Sequence, residues 1–489
     1  MRLRSAGRAL RRLPPSMAFG LSGLTAVLGG ATIVVVVLYP VIGLPRPAHG
    51  AVVASTSRHG NSSRADGKVI GGDSPSALRA GGGPTGASTP TSSTPPGSTS
   101  SKVPSSSTNV PSGVQRATTA VPTTTSTTPA APSPSTGIIG VNGDHLTLDG
   151  QPYEFTGVNA YEIATDWGTN AGCGADVTDA QLDQFFASLR PNSLVRFWAF
   201  QGTMATNATT GQIDWGPLDR VFATAAAYGQ RLVPVLTDQG GSCDGGHWQD
   251  PSWYNGGFEQ VEDDPSPTTG VNQTPLSYWD YVQAIVNRYK DSPALGMWEP
   301  ISEAEASTCP SQYEPSDCSG NQTCPDETVA AQALRYFFDA VGREIHTLDP
   351  EHLVESGLLG GGQCGTQGTD YQYVSASPGV DVLSYHDYYP ANQPMGGDQW
   401  NGLAVRFSQA ESLDKPIIGG EVGIIAGSGN GCLTDSGRVS DVQAKLQAQL
   451  SAGSSGLLLW NWVPGITQPC SYDIAPGDPV LSLLASVAL

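Results

Sequence analysis

Between residues 137 and 489, short apolar runs alternate with longer stretches whose apolar residues recur every three or four positions. The first pattern is typical of buried strands, and the second of helices that cover one face of a sheet. Eight strands are predicted, at residues 153–160, 193–200, 231–238, 295–302, 352–359, 380–387, 416–423 and 456–463. Helices are predicted at residues 179–189, 218–228, 277–289, 327–348, 401–413 and 435–450.

Eight strands with helices between them predict an α/β fold, the (β/α)8 or TIM barrel. The interval after the fifth strand is the exception, because its sequence is mainly loop-like. A barrel of this kind typically has ~250 residues, and residues 137–489 exceed that length. We expect the extra residues in loops such as 239–274 and 309–326, where they would form the walls of a cleft.

A different pattern precedes the barrel. Residues 1–16 are basic, with five arginines and no acid, and residues 17–44 are almost entirely apolar. The apolar run is long enough to cross a bilayer, which takes ~20 residues, and the arginines should stay on the cytoplasmic side. It is therefore predicted to be either an uncleaved transmembrane anchor or a signal segment that is removed. Both alternatives make the rest of the chain extracellular, either membrane-anchored or secreted.

Residues 45–136 are predicted to be a disordered linker. Ser, Thr, Pro, Gly and Ala dominate it, and residues 51–136 contain no Phe, Trp or Tyr. Such a composition cannot bury enough apolar surface to offset the entropy of the chain. The runs of Ser, Thr and Pro are typical of an extended stalk.

Charge distinguishes the last domain from the segments before it. Residues 1–136 hold 12 of the 24 basic residues and 2 of the 44 acidic ones, which leaves 12 basic and 42 acidic residues for 137–489. A domain with this surplus of negative charge is a poor partner for nucleic acid or for an anionic lipid surface. It suits an exported enzyme, expected to be a monomer, that acts on a neutral substrate.

All eight cysteines lie in this acidic domain, at positions 173, 243, 309, 318, 324, 364, 432 and 470. An even number beyond an export segment favours disulfides, up to four of them, although the sequence does not define their pairing. No C-x-x-C motif occurs, and the spacing of the cysteines is not that of a zinc site. We therefore expect no metal and no cofactor.

Two of the predicted strands have a glutamate at or next to their C-terminal end. The run 294–304 delivers Glu303 and the run 415–424 delivers Glu421. In a barrel both would lie on the rim where the C-terminal strand ends meet. Glycoside hydrolysis needs two such carboxyl groups, one to protonate the leaving oxygen and one to attack or stabilise the sugar cation. Glu299 precedes Glu303 on the same strand and is interpreted as a structural hydrogen-bonding acid.

Several motifs occur along the domain in a characteristic order: V-R-F-W-A-F at 195–200, W-E-P-I-S-E at 298–303, Y-H-D-Y-Y-P at 385–390, K-P-I-I-G-G-E-V-G at 415–423 and L-W-N-W at 459–462. With them the domain resembles glycoside hydrolase family 5, and most of all its endo-β-1,4-mannanases. The resemblance implies that Glu303 is the acid/base and Glu421 the nucleophile.

The resemblance also implies the neighbours of these two carboxyl groups. Arg196 would lie beside the nucleophile, His386 and Tyr388 would form hydrogen bonds around it, and Trp460 would floor the adjoining sugar subsite. Trp198 and Ser302 complete the predicted substrate-binding residues. Ser302 is a departure, because the family has Asn at this position, and this puts the specificity for mannan in question.

The predicted function is that of a retaining glycoside hydrolase that cleaves internal β-1,4 linkages of a neutral polysaccharide, mannan-type first. One alternative is an endo-β-1,4-glucanase. Another is a carbohydrate-binding protein without catalytic activity on the same fold, because a fold does not guarantee an activity.

Overall fold

We analysed a computed structural model of the chain. It describes the backbone of residues 20–28 and 31–39, and residues 137–240, 243–244, 247–262, 270–309, 322–390 and 392–487 in full. The chain divides into two compact units, Met1–Val69 and Ile70–Leu489. The predicted linker, at 45–136, and the basic segment, at 1–16, lie outside the described residues.

In the first unit, the apolar segment contains two antiparallel strands, β1 (Gly20–Leu28) and β2 (Ala31–Tyr39). Within the described ranges, no helix has the length and apolar character needed to span a membrane. The transmembrane or signal role of residues 17–44 stays a prediction.

The second unit contains the predicted ring of eight parallel strands. They are β6 (Phe155–Asn159), β7 (Leu194–Trp198), β8 (Arg231–Val235), β9 (Met297–Trp298), β10 (Leu353–Val354), β11 (Leu383–Asp387), β12 (Ile417–Gly423) and β13 (Ser454–Trp460). Six of them form one continuous sheet in the order β11-β12-β13-β6-β7-β8. Parallel bridges such as Val235 to Glu299 join β8 to the β9 segment, β9 pairs with β10, and a bridge from Glu355 to Val382 leads to β11. The ring is therefore closed, and the predicted (β/α)8 fold is confirmed.

Helices lie between the strands where the amphipathic stretches predict them, and further short helices occur at Pro251–Tyr254, at Thr369–Ser375 and, after the last strand, at Pro479–Ser486. In chain order the helices are Asp179–Ala187, Gly216–Ala227, Pro251–Tyr254, Tyr278–Tyr289, Glu327–Phe337, Arg343–Leu348, Thr369–Ser375, Leu403–Leu413, Asp435–Ser451 and Pro479–Ser486. The interval after the fifth strand is mainly loop, as expected, but it also contains the short helix Thr369–Ser375. Its apolar residues Tyr371 and Val374 are buried, but seven residues are too few to show a helical period clearly.

A small antiparallel sheet that the sequence analysis did not predict closes the N-terminal end of the barrel. Its strands are β3 (Ile139–Asn142), β4 (His145–Leu148) and β5 (Gln151–Pro152). Ile139 and Leu146 form one cluster with inward-facing barrel residues such as Leu194, Met297 and Leu458. This apolar plug leaves the opposite, C-terminal end of the barrel for polar side chains.

Disulfides tie the loops at that end together. Cys173 pairs with Cys243, Cys324 with Cys364, and Cys432 with Cys470. Cys309 is also disulfide-bonded, while Cys318 lies outside the described residues. The prediction of disulfides is confirmed for these seven cysteines. Parts of both predicted wall loops, residues 263–269 and 310–321 among them, lie outside the described residues.

Candidate active site

Arg196 is the centre of the polar cluster at the C-terminal end of the barrel. Every second side chain of a strand points to the same face, so Leu194 and Arg196 both point into the barrel. Leu194 faces the apolar plug, and Arg196 lies in the next layer above it. Its side chain is 1% exposed. Nε and Nη2 each donate to one carboxylate oxygen of Glu299 at 2.6 Å. This bidentate ion pair is of the strong, charge-assisted kind, and the structural role of Glu299 stays a prediction.

Glu421 lies on the other side of the same guanidinium. Its Oε1 accepts a hydrogen bond from Arg196 Nη1 at 2.7 Å, and its Oε2 accepts one from the Tyr388 hydroxyl at 2.5 Å. A register shift between β11 and β12 pairs Tyr385 with Gly419 but His386 with Glu421. Such a bulge re-aims the side chain that follows it, and here it brings Glu421 to the inner face. Burial raises the pKa of Glu421, while His386 and Arg196 oppose that rise.

Glu303 completes the pair of carboxyl groups and differs from Glu421 in its surroundings. Its side chain is 27% exposed, so it reaches the cleft. Burial raises the pKa of Glu303 from 4.5 to about 7, and Arg196 opposes this only in part. One carboxylate oxygen of Glu303 and one of Glu421 lie within 4.8 Å of each other. The protein therefore holds two glutamates together, one bonded to a guanidinium and one that keeps its proton near neutral pH.

His386 is placed differently from the expectation. The resemblance puts it in a hydrogen bond with the nucleophile, but its Nδ1 lies 2.7 Å from Glu303 Oε1 and 3.6 Å from Glu421 Oε2. Burial lowers the pKa of His386 to about 4, so the imidazole is neutral at the pH where Glu303 titrates. It is a neutral hydrogen-bonding partner of Glu303 and lies between the two carboxyl groups.

Aromatic rings form one side of the cleft. Trp460 is 8% exposed and stacks on Tyr161, with ring centroids 5.5 Å apart and planes 12° apart. Trp198 packs against Tyr161 at 4.6 Å and against Phe200 at 4.9 Å. The two predicted tryptophans thus share a wall with Tyr161, a ring that the prediction of the site left out although it follows the first strand.

Ser302 and Asn159 both bind Arg196. The Ser302 hydroxyl accepts a hydrogen bond from Nη2 at 2.8 Å, and the side-chain oxygen of Asn159 accepts one from Nη1 at 2.9 Å. Asn159 Nδ2 also donates to the carbonyl of Gly420 at 2.9 Å, beside Glu421. Ser302 is therefore bound to the guanidinium that also binds Glu421. Asn159, which the prediction of the site does not include, binds both the guanidinium and the backbone of the bulge.

Two groups of described residues are close enough together to hold a metal ion. One is the Glu303, His386 and Glu421 cluster, and the other is Cys324, Glu327 and Cys364. Both sulfurs of the second group are in a disulfide, so they are not thiolate ligands. The expectation that the protein uses no metal stays a prediction.

The chain matches no family model. It is similar to the probable mannan endo-1,4-β-mannosidase F of Aspergillus flavus, at 25% identity over 353 residues that cover 66% of each chain. It is also similar to the mannan endo-1,4-β-mannosidase 7 of Arabidopsis thaliana, at 26% identity over 327 residues, 59% of this chain and 69% of that one. Among solved structures, an endo-1,4-β-mannanase from Rhizomucor miehei matches with a TM-score of 0.48 and 21% identity, over 71% of this chain and 97% of that one.

The two curated relatives confirm the resemblance that the motifs predict: the chain is similar to endo-mannanases. It spans about two thirds of the length of the first of these curated relatives.

Proposed function

We propose that the barrel is a retaining glycoside hydrolase that cleaves internal β-1,4 linkages of a neutral polysaccharide, with mannan as the first candidate. The observation that carries the proposal is the pair of carboxylate oxygens, one from Glu303 and one from Glu421, within 4.8 Å of each other. Retaining glycosidases hold their two carboxyl groups ~5 to 5.5 Å apart, whereas inverting ones need ~6.5 to 9.5 Å to admit a water. An upper limit of 4.8 Å on one pair of oxygens agrees with the shorter separation, and we therefore propose double displacement.

In the first step Glu421 is the nucleophile. Its carboxylate oxygen forms a bond to the anomeric carbon while the bond from that carbon to the leaving oxygen breaks. The hydrogen bonds from Arg196 and Tyr388 favour the ionised form of Glu421 that this attack requires. Glu303 gives its proton to the leaving oxygen, and a pKa of about 7 keeps that proton available in mildly acidic solution.

In the second step a water molecule attacks the anomeric carbon of the glycosyl-enzyme. Glu303, now ionised, takes the proton of the water, and the bond from the sugar to Glu421 breaks. Both carboxyl groups return to their starting state, and the sugar keeps its anomeric configuration. His386, neutral and 2.7 Å from Glu303, holds that side chain through the exchange.

The aromatic wall suits a sugar chain. We propose that Trp460 floors the subsite beside the scissile bond, with Trp198 next to it, because the apolar face of a sugar ring buries well against a flat aromatic ring. Ser302 is shorter than the asparagine of the family, and its hydroxyl already binds Arg196. The choice between mannan and glucan therefore has to be made by experiment.

We also propose that the enzyme works outside the cell as a monomer, anchored by its N-terminal segment or secreted after cleavage. The disulfides support an oxidising compartment. The surplus of acidic residues in the domain argues against nucleic acid as a partner.

The test is hydrolysis of β-1,4-mannan, β-1,4-glucan and xylan oligosaccharides by the full-length protein, beside its Glu421→Ala and Glu303→Gln variants. We expect cleavage of the mannan oligosaccharides with retained configuration, followed by NMR of the anomeric protons, and loss of cleavage in both variants. Preferred cleavage of glucan would make the chain a glucanase. Saturable binding of oligosaccharides without cleavage would support the binding protein instead.

A further inference from the structure

Glu355 is a buried carboxyl group that the proposed reaction does not use. It directly follows β10, bridges to Val382 of the neighbouring strand and is fully buried. The charged groups that face it are Glu299 and Arg196. Burial raises the pKa of Glu355 well above its ordinary value, Glu299 adds to the rise, and Arg196 opposes it.

Two hydrogen bonds connect Glu355 to the backbone of Glu303. The N–H of Gly357 donates to Glu355 Oε2, and the carbonyl of Gly357 accepts a hydrogen bond of 2.7 Å from the N–H of Glu303. Gly357 has φ +62°, and a Cβ added to it would lie 2.0 Å from the carbonyl oxygen of Ile301. The ends of the fourth and fifth strands therefore touch at the peptide of Gly357, where only glycine fits.

The backbone of Glu303 needs such support. Its φ is +54°, in the left-handed region that non-glycine residues rarely adopt. Residues held in such conformations cost of order 1 to 3 kcal/mol and persist only where their surroundings hold them. The hydrogen bond from the Glu303 N–H to the carbonyl of Gly357 is one such support. Glu355 in turn holds Gly357 by accepting a hydrogen bond from its N–H.

We propose that Glu355 is a positioning residue for the reaction: by binding the N–H of Gly357 it fixes this residue, whose carbonyl holds the backbone from which the Glu303 carboxyl group reaches the scissile bond. The inference rests on the proposed function, in which Glu303 is the acid/base.

Burial and the neighbouring Glu299 favour the neutral form of Glu355, whereas its hydrogen bonds favour the ionised form. Its Oε1 and the hydroxyl oxygen of Ser384 are both buried, and neither has a hydrogen bond of good geometry within the described part of the chain. The Ser384 hydroxyl nevertheless interacts with this carboxyl group as a donor, which lowers its pKa and opposes the effect of burial. Gln has the same shape and keeps an oxygen that accepts the hydrogen bond from the Gly357 N–H, so it should replace Glu355, whereas Leu and Ala should not.

The experiment compares full-length Glu355→Gln, Glu355→Leu and Glu355→Ala with the parent protein on two substrates. One is the oligosaccharide that the parent cleaves best, and the other is the aryl glycoside of the same sugar with a dinitrophenolate leaving group, whose departure needs no proton. A displacement of about 1 Å can reduce a rate ~100-fold. We expect Leu and Ala to lower kcat/KM on the oligosaccharide about 10- to 100-fold and on the aryl glycoside less than about threefold. Gln should stay within about threefold on both.

Asp349→Ala is the control for lost stability alone. Asp349 is buried, precedes the same strand at the opposite end of the barrel and accepts a hydrogen bond from Trp298 Nε1 at 2.9 Å. Equal losses on both substrates, or losses that follow the unfolding midpoints as in Asp349→Ala, would overturn the positioning role. So would unchanged activity in Glu355→Ala.

A second measurement is independent of activity. In a crystal structure of Glu355→Leu, or of Glu355→Ala if Leu does not fold, we expect Glu303 to leave the left-handed region. If φ stays near +54°, the inference is wrong even in an active enzyme. If the parent protein cleaves no substrate, the proposed function fails while this structure still decides the inference.

Discussion

Replacing Glu303 by Gln should stabilise the barrel at neutral pH while it removes the proposed acid/base. Burial raises the pKa of Glu303 from 4.5 to about 7, so the folded protein binds this proton more tightly than the unfolded chain does. Between these two pH values the folded state holds more protons, and the free energy of unfolding falls as pH rises. Gln carries no such penalty because it does not titrate.

The magnitude follows from the pKa. Each pH unit of difference between folded and unfolded pKa corresponds to about 1.4 kcal/mol, so a rise from 4.5 to about 7 costs about 3 kcal/mol once pH exceeds 7. The side chain is 27% exposed, and contact with water reduces this to about 2 kcal/mol. The advantage of the variant should therefore be near zero at pH 4, grow through pH 5 and 6, and level off above pH 7.

The assay is denaturant unfolding of both proteins at pH 4, 6 and 8 with the disulfides intact. Glu162→Gln is the matched control. Glu162 is 2% exposed, its pKa is raised to about 7 mainly by burial, and its Oε1 has no hydrogen-bond partner among the described residues. The free energy of unfolding of the Glu162→Gln variant should exceed that of the parent protein by about 3 kcal/mol at pH 8, and the variant should keep its activity. A stability difference for Glu303→Gln that does not change with pH would refute the raised pKa and the acid role built on it.

Three further predictions concern the same cluster. In the parent protein, kcat/KM should fall about tenfold per pH unit above pH 7 as Glu303 loses its proton, and a pH–rate profile without that limb would contradict the assignment. Tyr388→Phe removes a hydrogen bond that lowers the pKa of Glu421, so the acid limb of the pH–rate profile should move to higher pH. An acid limb that does not move would show that it does not report the titration of Glu421. Arg196→Met removes the ion-pair partner of Glu299 and Glu421. We expect the free energy of unfolding in urea to fall by about 3 to 5 kcal/mol and the activity to be lost. Near-parent stability would show that neither carboxylate depends on Arg196.

The barrel is readable from the sequence because its signal is local. Each strand is a run of apolar residues, such as Leu194–Trp198 or Ile417–Gly423, and each long helix carries its own amphipathic period. The order of the elements then leaves few topologies for parallel strands. The sheet β3–β5 was not predicted because its strands have two to four residues, too few for alternation to be visible.

The site was predictable as a set of residues but not as a set of contacts. Glu303, Glu421, Arg196 and Tyr388 come together as the motifs imply. The position of His386 between Glu303 and Glu421 could not be read from sequence, because a bulge shifts β12, which carries Glu421, by a residue against β11. A shift of this kind exchanges the faces of all following side chains, and the sequence does not reveal its phase.

The charges at the centre of the barrel explain why the two proposed catalytic glutamates differ. The Arg196 guanidinium gives two hydrogen bonds to Glu299 and one to Glu421, so its single positive charge is already shared between two carboxylates. A third charge on Glu355, against the same guanidinium, would raise the cost of ionising Glu421. Burial and Glu299 favour the protonated form of Glu355, and in that form Glu421 keeps the remaining share of Arg196. Glu303, which has no hydrogen bond to Arg196 in the described residues, is then the carboxyl group that retains its proton and supplies it.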